Sequence, residues 1–200
     1  KRFNSFSLDD LRKRKIFPLI ILNYLNKIGS NLSNDEIDDI DLLKKNFDLS
    51  SFSKNSVLFN DSDLERLNSK YLKTLTYHNL KKFFDVKYDE KFWDIIKNNV
   101  DGLKEIDEWY QILNFNHNQK TAIEPELYTL IKEYLPPKID KDTWSIWTTK
   151  ILEVTKTKPK DLYMKLRFIL TGRNYGPSMN EMLTLYSREE ILKRIESNCD

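Results

Sequence analysis

Between Lys156 and Pro177 the chain concentrates positive charge and backbone freedom. Lys156, Lys158, Lys160, Lys165, Arg167 and Arg173 fall in this stretch, and Asp161 is the one acid among them. Cations at this density suit contact with a phosphate backbone, and the ordinary alternative for any charge run is a solvated helix face. Two of the four glycines lie here as well, in "LRFILTGRNYGPSMNEML". Gly172 stands where a residue with positive φ ends a helix, and Gly176-Pro177-Ser178 reads as a second reversal with proline opening the next helix. The loop between them holds out Thr171, Arg173, Asn174 and Tyr175. Arg167, on the apolar helix before the loop, is either a buried cation that orders the loop from beneath or a direct ligand group.

Other chemistry is hard to build from these residues. His78, His117 and the single Cys199 offer no metal-ligand spacing and no nucleophile-base pair. Four scattered glycines make no phosphate-cradling loop. By its own residues the chain is not expected to be a complete enzyme, and no metal or cofactor is expected on it. Trp144 and Trp147, three apart, read as core anchors on one helix face.

The elements that must position the loop are helical. Of 200 residues 40% are hydrophobic and 12% aromatic, enough for a buried core, and the 32% that are charged nearly cancel to +2. The longest apolar run, "IFPLIILNYL", is about half of a membrane-spanning helix. With one cysteine and no disulfide, a soluble protein of the reducing cytoplasm is expected. Ser7 with Asp10 forms a capping box, and Pro18 opens a helix whose Leu19, Leu22, Leu25 and Ile28 predict a buried face ending at Gly29. A third helix is expected through Ile37, Ile40 and Leu43. After a turn anchored by Phe47, Phe52 and Phe59, a helix capped by Asn60 or Asp61 follows through Leu64, Leu67 and Leu72. Further helices are expected near Tyr77–Phe84, Asp89–Lys97, Leu103–Leu113, Glu126–Tyr134, Lys141–Val154, Lys160–Leu170 and Ser178–Ser197. No alternating β pattern interrupts them, so the fold class is all-α. Linkers are expected at Thr74–His78 and Asn114–Pro125.

Three ordered segments resemble one family. "KPKDLYMKLRFILTGRNYGPSMNEMLTLYSREEILKRIE" is similar to the C-terminal end of bacterial glutamyl-tRNA synthetases, with their Leu-Thr-Gly and Gly-Pro succession before a final helix. "FDLSSFSKNSVLFNDSDLERLNSKYL" resembles the Phe-Asp-Leu and Ser-Lys pattern after the catalytic core of that family. "SLDDLRKRKIFPLIILNYLNKIG", preceded by Lys1-Arg2, resembles the segment that begins at the end of the family's Lys-Leu-Ser-Lys-Arg signature. Two departures bear on the C-terminal loop. Lys165 stands where proline is frequent in the family, and Pro159 replaces the glycine of Lys-Gly-Lys.

The resemblance implies the C-terminal part of a class I glutamate–tRNA ligase that lies downstream of its nucleotide-binding fold. It implies a helical stem-contact region over 1–75, then an α-helical anticodon-binding cage in two subdomains, 76–125 and 126–200. Glutamate-accepting tRNA is the implied partner, with glutamine tRNA as an open second substrate, and a monomer is expected. ATP and Mg²⁺ would serve the whole enzyme, with Lys1 and Arg2 a remnant of its ATP-binding loop. The resemblance tips the cation run toward RNA contact and marks Lys54, Lys158, Lys160, Arg167, Thr171, Gly172, Arg173 and Gly176 as candidate tRNA-binding residues. A stand-alone helical interaction module is the rival reading.

Overall fold

The computed structural model describes residues 7–33, 36–115 and 119–199. Among these residues there are helices and no strands; two isolated bridges, Ser30 with Phe52 and Thr121 with Cys199, are the sole β pairings. Among the described residues no helix is long and apolar enough to cross a membrane. The all-α expectation therefore holds. Backbone contacts group the chain into two compact units, residues 1–87 with 100–105, and residues 88–99 with 106–200.

The first unit carries α1 (Leu8–Lys13), α2 (Pro18–Lys27), α3 (Ile40–Asn46), α4 (Asp61–Thr74) and α5 (Tyr77–Lys81). Ser7 and Asp10 close the expected capping box on α1. Phe17, fully buried before α2, meets Tyr71, Phe83 and Phe84 edge-on at 5.1 to 5.5 Å. Its backbone N–H, an orphan donor at a helix start, is accepted by the side chain of Asn68 on α4 at 2.9 Å.

The buried face of α2 is not the expected one. Leu22 and Leu25 are 46% and 50% exposed, whereas Asn23 and Lys27 are buried. The cause is a backbone segment that needs polar partners: Asn23 donates to Asp38 O at 2.9 Å and accepts from Asp38 N–H at 2.8 Å. One turn later Lys27 donates to Glu36 O and pairs with the Asp38 carboxylate at 3.1 Å. Buried polar groups must be paired, so these two residues turn inward to carry residues 36–38 and the leucines turn out. Helix α3 likewise begins only at Ile40, capped by Asp39, and buries Leu43 alone.

The turn between α1 and α2 holds a misfit. Ile16 N–H bonds to Leu11 O and Lys15 N–H to Arg12 O, both at 3.0 Å, the double bond pattern of a helix ended by a left-handed residue. That residue is Lys15, with φ of 56°. A side chain in this region strains the backbone, and glycine does not. Lys15→Gly is expected to stabilise the chain by about 1 kcal/mol and raise Tm by a few degrees. An unchanged or lower Tm in a thermal melt contradicts the strain at Lys15.

The second unit carries α6 (Glu90–Ile96), most of α7 (Leu103–Asn114), α8 (Pro125–Glu133), α9 (Thr143–Val154), α10 (Pro159–Thr171), the short α11 (Met179–Met182) and α12 (Arg188–Asn198). The helices break at both expected places, α4 ending at Thr74 with Thr76 capping α5 and no regular element lying between Asn114 and Pro125 among the described residues. Each break nevertheless lies inside one compact unit, the first in residues 1–87 and the second in residues 106–200. Trp93, Trp109 and Trp147 are buried to within 1%, with Trp147 Nε1 donating to Ile131 O at 2.9 Å. The single helix expected over Ser178–Ser197 is divided. After α11 and a 3₁₀ turn at Leu183–Leu185, the chain leaves the helix at Tyr186 and restarts at Ser187. The restart is a capping box, Ser187 with Glu190, legible as Ser-x-x-Glu yet hidden under a continuous apolar period.

Candidate nucleic-acid interface

The loop after α10 is built as its glycines require. Gly172 ends the helix in the left-handed region, φ 66° and ψ 11°, and its N–H closes on Phe168 O at 2.7 Å. Gly176 has φ of 132° and lies against the indole of Trp109. Thr171, 1% exposed, uses its hydroxyl internally: it donates to Arg167 O at 2.8 Å and accepts from Arg173 N–H at 3.2 Å. Thr171 thus shapes the loop and is not presented to a ligand.

Beside this loop an open cleft of about 260 Å³ runs between α9, α10 and the start of α11. Trp144 and Tyr163 form its aromatic wall, with ring centroids 5.8 Å apart, and Met164 and Met179 add flexible apolar surface. Asn174, Ser178 and Asn180 supply polar edges, Asn180 being held by a hydrogen bond to Lys141 O at 3.0 Å. Arg167 reaches into the same cleft. Its Nη1 donates to Pro177 O at 2.9 Å, so it supports the loop from beneath while lining the cleft. Burial pulls its pKa downward, and a guanidinium nonetheless stays charged at neutral pH. Trp144, read as a core anchor, has both roles: it is 9% exposed, and what remains uncovered faces the cleft.

The candidate cations do not form one cluster. Lys158 and Lys160 are exposed at the start of α10, and Gly172 is at its end, roughly 20 Å away by the helical rise. Lys165, between them, is diverted to Glu124 at 3.1 Å. Arg173, expected as an exposed loop cation, is also occupied: Nη2 pairs with Glu108 on α7 at 2.9 Å and Nη1 donates to the Tyr175 hydroxyl at 2.6 Å. Its guanidinium lies 5.4 Å from the Trp109 ring and 5.5 Å from the Tyr175 ring. In the first unit Lys54 is exposed in the bend after the 3₁₀ turn at Leu49–Ser51. His78 is exposed on α5. Lys1, Arg2 and His117 lie outside the described residues.

Sequence reasoning missed Arg194 and Asn198 of α12. Arg194, 5% exposed, donates to Leu170 O at 2.9 Å, Ile112 O at 2.7 Å and Leu113 O at 2.8 Å, with its guanidinium 4.7 Å from the Tyr186 ring. Asn198 donates to Ile169 O at 2.9 Å. Together they satisfy orphan carbonyls at the ends of α7 and α10, immediately before the loop. Burial pushes the Tyr186 phenol up to about 12, against the lowering field of Arg194. The signal was a polar pair at i, i+4 on the face that carries Ile191 and Ile195, within an otherwise mostly charged helix.

The family model of the anticodon binding domain matches residues 71–199, which include the loop, the cleft and all of α12. The chain belongs to the anticodon-binding domain family. Among curated relatives, the glutamate–tRNA ligases 1 of Rickettsia felis and Rickettsia akari are 36% and 37% identical to it over 204 residues. Each comparison covers 98% of the chain and 46% of the relative, so the chain spans under half the length of the curated relatives it matches. The anticodon-binding domain and the segment before it are homologous to the C-terminal part of glutamate–tRNA ligases. A solved glutamate–tRNA ligase from Elizabethkingia meningosepticum CCUG26117, in complex with its amino acid, superposes with a TM-score of 0.77 at 19% identity. That comparison covers 93% of this chain and 41% of the other. The glutamate–tRNA synthetase of Elizabethkingia anophelis gives 0.73 at 17% identity over the same shares. These two likenesses concern the fold.

Proposed function

We propose that this chain holds a glutamate-accepting tRNA for a class I glutamate–tRNA ligase, with residues 126–200 on the anticodon, 76–125 as its neighbouring subdomain and 1–75 on the inner stem. One observation carries the reading. A cleft with an aromatic wall, amide edges and a half-buried arginine opens beside a glycine-shaped loop, inside the segment matched by the anticodon-binding model. Sequence-specific RNA recognition takes splayed single-stranded bases, stacks them on aromatic or guanidinium planes and reads their edges by hydrogen bonds. Tyr163, 40% exposed and backed by Trp144, supplies the plane, Arg167 the cation, Asn174 and Asn180 the edges. Lys158 and Lys160, and Lys54 in the first unit, serve phosphates, which add affinity without sequence. Gly172 and Gly176 serve through loop shape.

The ligation itself, with ATP and Mg²⁺, belongs in this reading to a full-length enzyme acting as a cytoplasmic monomer. Among the described residues no three His, Cys, Asp or Glu side chains converge as metal ligands. The test is a titration of the chain with tRNA bearing the glutamate anticodon, repeated with each anticodon base replaced and at several salt concentrations. Affinity is expected to fall log-linearly with salt and by roughly tenfold for at least one base replacement. Salt-independent binding, or indifference to the anticodon, contradicts the reading. Parallel titration with glutamine tRNA decides whether it is a second substrate.

A further inference from the structure

Tyr175 is the unexplained residue of the loop. Its side chain is 65% exposed, an unusual place for a large aromatic, and yet it is not left free to move. Arg173 Nη1 donates to the phenol oxygen at 2.6 Å while the guanidinium packs 5.5 Å from the ring centroid. Arg173 in turn is fixed by Glu108 at 2.9 Å and by the buried indole of Trp109 at 5.4 Å. The glycine after Tyr175 seats the backbone directly on that same indole. A buried tryptophan, a neutralised arginine and an exposed tyrosine thus form one braced stack whose outer member presents a ring to solvent.

We propose that Tyr175 is a stacking platform for one unpaired RNA base, and that Arg173 is a positioning residue that holds the ring ready. The proposal rests on the anticodon-binding reading and adds a recognition residue to it. An aromatic held rigid before binding loses little rotamer entropy when a base stacks on it, which is what an exposed and braced ring provides. Asn174, the preceding residue, lines the cleft of Trp144 and Arg167, which puts Tyr175 one residue along the loop from that cleft. The Arg173 charge is consumed by Glu108 and serves the brace, not a phosphate.

The experiment uses an RNA hairpin of the anticodon arm with the glutamate anticodon, intact or abasic at one anticodon position at a time, against wild type, Tyr175→Ala and Tyr175→Phe. Tyr175→Ala is expected to bind the intact hairpin about tenfold more weakly, and Tyr175→Phe to fall between it and wild type, because the ring still stacks and still packs on the Arg173 guanidinium but loses the hydrogen bond that braces it. Both variants are expected to melt with wild type, since the side chain is exposed. One abasic position is expected to cost wild type about tenfold and Tyr175→Ala almost nothing, the signature of a shared contact. Wild-type binding combined with an unaffected Tyr175→Ala, an equally weakened Tyr175→Phe, or abasic losses that are the same in both proteins overturns the platform alone. A wild-type chain that does not bind the hairpin overturns the anticodon reading and the platform with it.

Discussion

Gly176→Ala is expected to destabilise the second unit by roughly 3–5 kcal/mol, several times the effect of Gly172→Ala at about 1 kcal/mol. The two glycines stand four residues apart in one motif, yet the structure gives them different tasks. At Gly172 the backbone is left-handed, φ 66°, a conformation other residues reach at modest cost. At Gly176 the φ is 132°, which side chains rarely adopt, and a Cβ there would fall 2.4 Å from both Cη2 and Cζ2 of Trp109. Trp109 is 1% exposed and cannot swing aside, so the clash must be relieved by moving the loop. Urea unfolding should show a lower midpoint at unchanged m, and tRNA affinity should fall with it because Tyr175 and Asn174 ride on the same backbone. A Gly176→Ala protein as stable as Gly172→Ala would mean that the loop does not rest on Trp109.

What the sequence made legible was local. Ser7 with Asp10, Pro18, Pro159 and Gly172 each announce a helix end through their own backbone chemistry, and each lies at that end in the structure. The motif around Gly172 and Gly176 likewise located the loop before its neighbours were known. What stayed hidden depended on partners distant in sequence. Leu22 and Leu25 match an apolar period, but the segment at residues 36–38 demands Asn23 and Lys27 instead, and periodicity carries no information about that demand. Arg173 looked like a free cation because nothing near it in sequence is acidic; Glu108, its partner, is 65 positions away. Lys158 and Lys160 looked adjacent to the loop because a string of letters does not show the length of α10. Position along the chain measured motif proximity well and spatial proximity poorly.

Arg194→Met is expected to cost about 3–5 kcal/mol, lowering Tm by roughly 10 °C, with Arg194→Lys recovering only part. The guanidinium is 5% exposed and is stabilised by the carbonyls of Leu170, Ile112 and Leu113 and by the Tyr186 ring. Those carbonyls lie in the last turns of two helices, that of Leu170 buried and those of Ile112 and Leu113 part-buried. Methionine fills the volume and takes the guanidinium donors from all three, leaving Leu170 O with only the long 3.4 Å bond from the Tyr186 hydroxyl. Lysine keeps the charge, but a single ammonium cannot span donors aimed at two helix ends as a planar fork does. Leu170 immediately precedes Thr171, so the loss is transmitted to the loop and the RNA titration should weaken alongside the melt. Destabilisation under about 1 kcal/mol for Arg194→Met in urea unfolding would show that the helix ends are satisfied without it. Full recovery by lysine would show instead that charge, and not the fork geometry, is what α12 supplies to the base of the loop.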